Sequence, residues 1–230
     1  MESGTNLQRA AVRHTAIPGF HPQGVGRGCK GLKPQQPRSR CASSGLRGNS
    51  RYYSFMVNYR RNFVPGGTYF FTVNLRDRSS SFLTEHIGLL RAAFRVVKHK
   101  QPFDVDAIVI LPEHLHAIWT LPQGDADYPG RWRAIKSTFT RAVVKSGVVV
   151  KCNEKREYAL WQRRYWEHTI ADEDDLRRHV DYIHFNPVKH GWAKQVADWP
   201  FSSFHQYVQQ GILPTDWAGS EDNGKFGELP

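Results

Sequence analysis

The stretch Val105-Asp106-Ala107-Ile108-Val109-Ile110-Leu111-Pro112-Glu113-His114-Leu115-His116-Ala117-Ile118-Trp119-Thr120-Leu121 decides how this chain folds. Val105 to Leu111 is nearly all apolar and rich in β-branched residues, which reads as a buried strand, expected in the centre of its sheet. Pro112-Glu113 bends the chain, because proline cannot donate to a β-ladder. His114 to Leu121 then resumes as a second strand. A connection this short joins antiparallel neighbours.

Working outward, Gly66-Gly67 marks a turn, and Thr68 to Leu75 reads as a strand of β-branched and aromatic residues. A helix is expected from Thr84 to Lys98, with Thr84 as N-cap and Leu89, Leu90, Ala93, Phe94 and Val97 on one face. Downstream, Pro122 to Pro129 is a polar loop. Gly130 to Ser146 reads as a helix with Trp132, Ile135, Phe139 and Val143 on one stripe. Trp161 to Ile170 contains a short strand. Asp172 to Asp175 places acids at a helix start, where the macrodipole favours them. That helix is expected to end at Phe185 or Asn186, before Pro187. The tail carries Trp199-Pro200-Phe201-Ser202-Ser203-Phe204 and a short helix from Ser203. The order of elements suits an α+β sandwich, an antiparallel sheet with helices packed on one face.

At 230 residues the chain is long enough for one well-buried domain with some surplus. No apolar run is long enough for a bilayer and no compact apolar leader opens the chain, so a soluble, cytoplasmic protein is expected. Cys29, Cys41 and Cys152 are odd in number and widely spaced, which fits neither a disulfide framework nor a zinc site. The net charge of +11 suggests a polyanionic partner. Residues 1–55 hold nine Lys/Arg against one acid, however, which accounts for +8 and leaves +3 for the remainder. This Gly-, Pro- and Ser-rich segment is expected to be a disordered basic extension. It is either an arm adding non-specific DNA affinity or sequence upstream of a true start at Met56, the reading favoured because organised sequence begins there. A catalytic domain is expected over 56–220 and a disordered tail over 221–230.

In His114-Leu115-His116 the histidines are two apart on a strand. Their imidazoles therefore point to one side, with Cα atoms about 6.5–7 Å apart, and can converge on one metal. Leu115 points to the core. The same spacing also arises by chance on half-exposed strands. Tyr182 and Asn186, four apart, share a helix face. Tyr182 offers a phenol nucleophile and Asn186 a carbonyl oxygen, a hard ligand for Mg²⁺ or Mn²⁺. Equally, Tyr182 could pack and Asn186 could cap the helix before Pro187. Glu113 is a candidate partner for an imidazole N–H, or a solvated turn acid. His179, three residues before Tyr182, could tune it or lie on the surface. His168 could sit near the site, and His184 projects elsewhere. Basic residues cluster with aromatics at Arg60 and Arg61, along Arg131-Trp132-Arg133 with Lys136, and at Arg163-Arg164-Tyr165-Trp166. They can neutralise phosphates while rings stack unpaired bases. Trp132 is expected in the core.

Pro112 to Trp119 resembles the HUH motif of the REP-associated tyrosine transposases. Tyr165-Trp166-Glu167-His168, His179 to Gly191, Asp198 to Phe204 and Asp216-Trp217-Ala218-Gly219 match further blocks of that family in consistent order, from about Asn58 to Gly219. The resemblance implies a ferredoxin-like fold. It implies Tyr182 as nucleophile and His114, His116 and Asn186 as ligands of a divalent metal. It implies a hairpin substrate formed by repetitive extragenic palindromes, a covalent 5′-phosphotyrosine link, a monomer, and a place beside the nucleoid. By the same analogy Arg60 and Arg61 are DNA contacts. Three rivals remain: a catalytically silent hairpin-DNA-binding protein, a replication initiator or relaxase, and a simple metal hydrolase.

Overall fold

The computed structural model describes residues 61–154 and 158–219. The expected extension over 1–55, the start at Met56 and the tail over 221–230 lie outside the described residues. The elements run β1 (Thr68–Asn74), α1 (Phe82–Glu85), α2 (Ile87–Lys100), β2 (Asp104–Ile110), β3 (His114–Thr120), α3 (Tyr128–Lys145), β4 (Trp166–Thr169), α4 (Glu173–Lys189), a 3-10 turn (Val196–Asp198) and α5 (Phe204–Gln209).

The four strands form one antiparallel sheet in the order β2-β3-β1-β4. With a helix crossover after β1 and another after β3, this is the ferredoxin-like arrangement. Alternation along β1 and β3 sorts side chains between two layers. Tyr69, Phe71, Val73, Leu115, Ala117 and Trp119 pack with Leu90, Ala93 and Val97 of α2 and Trp132, Ile135, Phe139 and Val143 of α3. On the other face, Phe70, Ala107, Val109 and Ile118 pack with Val180, Tyr182 and Ile183 of α4. The two crossover helices thus share one face, and a third helix covers the face that carries the histidines.

Three local expectations change. The strand Val105–Leu111 is not central: β2 is an edge strand. Its apolar character has another source, because the segment after the 3-10 turn covers its outer edge. Ile110 N–H donates to Phe201 O at 2.9 Å, Ser203 N–H to Ile108 O at 2.8 Å and Ile108 N–H to Ser203 Oγ at 2.9 Å. The helix expected from Thr84 breaks at His86 into α1 and α2. Thr84 is no N-cap; it lies inside α1 and its hydroxyl donates back to Ser81 O at 2.9 Å. Finally, α4 does not stop before Pro187 but carries it inside and runs to Lys189. Proline this close to the C-terminus forfeits its own N–H bond and crowds the carbonyl four residues back, a cost confined to the last turn. The end is then closed by a Schellman turn: Gly191 at φ +72° lets its N–H reach Val188 O at 3.0 Å, and Trp192 N–H reaches Pro187 O at 2.8 Å. Among the described residues no helix is long and apolar enough to cross a membrane.

Candidate active site

β3 is clamped between β2 and β1, so its side chains are firmly placed. His114 and His116 lie opposite Asn74 and Thr72 of β1 and are 2 % and 0 % exposed. Their rings meet nearly edge to face, with centroids 4.9 Å apart. Nδ1 of His114 lies 2.8 Å from Glu113 Oε1, and Nδ1 of His116 lies 2.9 Å from Thr72 Oγ1. A metal-ligating histidine is commonly oriented in this way, through one ring nitrogen while the other coordinates. Burial pushes the Glu113 carboxyl upward, but the hydrogen bond and charge of His114, helped by Arg78, outweigh it and hold it below its ordinary value.

α4 brings the third and fourth groups. The Tyr182 ring stands 5.2 Å from that of His116, near perpendicular at 73°, and 5.9 Å from Phe70. Tyr182 is 3 % exposed. Lys189 Nζ sits 4.7 Å over its ring. Asn186 lies one turn further along the same helix and is fully buried. Because α4 ends in the His190-Gly191 turn, Asn186 is not the C-cap. His190, to which the sequence lent no role, places its ring 5.5 Å from that of His114. The sequence signals for Thr72, Lys189 and His190 are weak, since each depends on sheet register or on the helix continuing past Pro187.

A second group could hold a metal: His168 of β4 with Asp175 and His179 of α4, whose ligand atoms lie within 4.8 Å of one another. Here it forms a hydrogen-bonded clamp. His168 Nε2 is 2.8 Å from Asp175 Oδ2, which also accepts Ala171 N–H at 3.0 Å, and the His168 and His179 rings stack at 4.8 Å. Burial would raise the Asp175 carboxyl, but these donors and the two imidazoles lower it. Burial lowers His179, against the pull of Asp175. His179 thus lies beside Phe70, at 4.8 Å, rather than on the surface. His184 is buried away from the site, with Nε2 3.0 Å from Ser203 Oγ, and burial with the nearby His205 pushes it to about 3.

No family model matches the chain. The REP-associated tyrosine transposase of Escherichia coli (strain K12) is 52% identical over 173 residues, covering 75% of this chain and 98% of that protein. The chain belongs to the REP-associated tyrosine transposase family. A Haemophilus influenzae relative of the same family is 47% identical over 169 residues, covering 73% of this chain and 96% of its own. A solved structure of a REP-associated tyrosine transposase bound to a REP hairpin superposes with a TM-score of 0.67 at 51% identity, over 76% of this chain and 99% of that one. Its ferredoxin-like α+β fold is the one described above.

The basic residues of this family member fall into separate places. Arg60 lies outside the described residues. Arg131 is buried, and its guanidinium is bound to Asp125 Oδ2 at 2.6 Å and to the carbonyls of Asp127 and Pro102. It therefore fastens the loop before α3. Arg61, Arg133, Lys136 and Arg163 line one cavity between α3 and the segment leading into β4. Arg164 is exposed outside that lining. Trp132 is in the core, 4.1 Å from Trp119 in a stacked pair.

Proposed function

We propose that this transposase cuts and rejoins single-stranded DNA beside REP hairpins, using Tyr182 as a nucleophile and a divalent metal held by His114, His116 and Asn186. The observation that carries the reading is the Tyr182 phenol 5.2 Å, centroid to centroid, from the buried His116 ring of a paired His-x-His. The relative bound to a REP hairpin supports the choice of DNA.

The donor set fits the metal. The amide oxygen is a hard donor of the kind Mg²⁺ and Mn²⁺ take, and with the two neutral imidazoles it makes a three-donor set that leaves positions for substrate oxygens. When bound, such an ion supplies Lewis-acid polarisation of the scissile phosphate. Glu113 and Thr72 hold the two imidazoles in orientation. The Tyr182 oxygen attacks phosphorus, a P–O bond to tyrosine forms and the P–O3′ bond breaks. The 3′ oxygen leaves with a proton from solvent as a 3′-OH, and the 5′ side remains on Tyr182 as a phosphotyrosine ester. Lys189 places positive charge beside the phenol, where negative charge must be carried as its proton leaves. Attack by another 3′-OH reverses the step and joins strands with no nucleotide hydrolysis. The protein is proposed to work as a monomer in the cytoplasm, at the nucleoid.

The test is a labelled REP hairpin with a single-stranded flank, incubated with Mg²⁺ or Mn²⁺ and run on a denaturing gel. A protein–DNA species that mass spectrometry maps to Tyr182 is the expected result. Cut DNA with no such species would favour a metal hydrolase. Hairpin binding without cutting would favour a silent binding protein.

A further inference from the structure

The start of α4 is held twice. Asp172 caps the helix, its carboxylate accepting Asp175 N–H at 2.8 Å. The second hold is the clamp of His168, Asp175 and His179. Asp175 and His179 are four apart and share a helix face, and the short turn between β4 and α4 lays His168 over them. One donor atom from each residue lies within 4.8 Å of the others. The two imidazoles take opposite oxygens of one carboxylate: His168 Nε2 is 2.8 Å from Oδ2 and His179 Nδ1 is 3.1 Å from Oδ1. Their rings are nearly parallel, at 14°.

Two imidazoles and a carboxylate on such a footprint are also a ligand set. A tetrahedral zinc ion with bonds of about 2.0–2.2 Å to nitrogen and oxygen places its ligand atoms about 3.3 Å apart. That value falls between the 2.8 Å and 4.8 Å found here. Ligands must also be deprotonated. Burial would raise the Asp175 carboxyl, but Ala171 N–H and the two histidines hold it below its ordinary value. Burial lowers His179 by more than Asp175 raises it, so its ring is neutral near pH 7. The side chains of His179 and Asp175 are 2 % and 10 % exposed and that of His168 is 37 % exposed. Two donors are thus fixed by packing, and the third opens to solvent as a way in. Arg178, 3.8 Å from Asp175 Oδ1, opposes a cation, but it is exposed and its side chain can turn out into water. Phe70 stands between this group and the cleavage centre, its ring 4.8 Å from that of His179 and 5.5 Å from that of His116.

We propose that His168, Asp175 and His179 form a second metal site, separate from the cleavage centre, which takes one Zn²⁺ ion with water in the remaining position. Imidazole and carboxylate are ordinary zinc donors, and three protein ligands leave one position open. On binding, each imidazole moves its hydrogen-bonded proton to its other ring nitrogen, so the ion replaces the hydrogen bonds to Asp175 with no net release of protons. The ion ties β4 to the first half of the helix that carries Tyr182.

The experiment titrates the full chain with Zn²⁺ at pH 7.5 by calorimetry, beside His168→Ala and His114→Ala. The unaltered chain is expected to bind one equivalent at micromolar affinity or tighter that His114→Ala retains. His168→Ala should weaken that equivalent by more than the roughly 10–100-fold that loss of a supporting hydrogen bond costs a metal site. Equal stoichiometry and affinity in His168→Ala would overturn the proposal and leave the group a hydrogen-bonded clamp. Loss of the equivalent in His114→Ala alone would assign the zinc to the cleavage centre and overturn it too. A second measurement needs no variant at the clamp: ¹⁵N NMR of the histidine rings in the unaltered chain. The ring nitrogens of His168 and His179 should shift together with the first equivalent. Resonances of these two rings that stay in place at saturating zinc would sink the assignment even where His168→Ala fails to fold. Zinc binding at the clamp does not require Tyr182 to be the nucleophile, so failure of the cleavage reading leaves these measurements standing.

Discussion

The two faces of the sheet are built from alternate residues of the same strands, yet they bury opposite chemistries. Toward α2 and α3, β3 presents Leu115, Ala117 and Trp119, and the space is filled by rings such as the Trp119–Trp132 stack. Neither of those indole N–H groups has an acceptor among the described residues, so this contact is held by packing. Toward α4, the same strand presents His114 and His116, whose Nδ1 atoms are each met by an oxygen at 2.8–2.9 Å. The aromatic centre of that first face is therefore sensitive first to volume. The other is organised by hydrogen bonds, and small polar changes there should alter chemistry before stability. A protein with a two-residue alternation can assign stability and chemistry to opposite sides of a single strand.

That contrast can be broken by experiment. The largest effect is expected from Tyr182→Phe, which removes one oxygen from the α4 face. Strand cleavage should fall by about 10³-fold or more, while hairpin binding and thermal midpoint stay near wild type. Retained cutting would sink the nucleophile assignment. On the opposite face, Trp132→Ala should cost about 3–5 kcal/mol of stability in urea unfolding, with residual cleavage at low temperature unchanged in metal dependence. A selective loss of metal dependence in that variant would mean that the faces are not separable.

Thr72→Val keeps shape and β-propensity but strips the oxygen from His116. Mn²⁺ affinity by titration calorimetry should drop about 10–100-fold, with little loss of stability. An unchanged affinity would make Thr72 a mere packing neighbour. The smallest effect concerns Lys136. Burial first, and the Arg61 charge second, push its ammonium down to about 8 in the folded protein. Between that value and the ordinary one near 10.4, the unfolded chain holds a proton that the folded chain does not, so stability should rise with pH there. Lys136→Met should remove this component of the slope, and identical pH profiles for the two proteins would show that the lysine is not depressed.

Much of this was legible in the chain. The hairpin around Pro112-Glu113 could be read because an apolar run, a breaker and a second run leave one antiparallel solution. That His114 and His116 share one side of a strand, and Tyr182 and Asn186 one face of a helix, followed from periodicity; their roles came only from the family resemblance. The position of β2 was not legible: an apolar strand looks central whether a strand or the distant Phe201–Ser203 segment covers its edge. The length of α4 was missed because Pro187 is a local breaker whose effect the Gly191 turn absorbs. The cavity around Lys136 was hidden for a different reason. Its residues come from three segments that only the tertiary fold brings together, and Arg131, adjacent in sequence, is spent on Asp125.

The unbroken passage of α4 through Pro187 has a mechanical consequence. Tyr182 and Asn186 are separated by about 6 Å along one rigid rod. The nucleophile and the amide oxygen cannot be repositioned independently, since any tilt or slide of the rod carries both. A strand exchange that drew the tyrosine away from the histidines would withdraw Asn186 with it, opening the two halves of the centre like a jaw hinged at the clamp on β4.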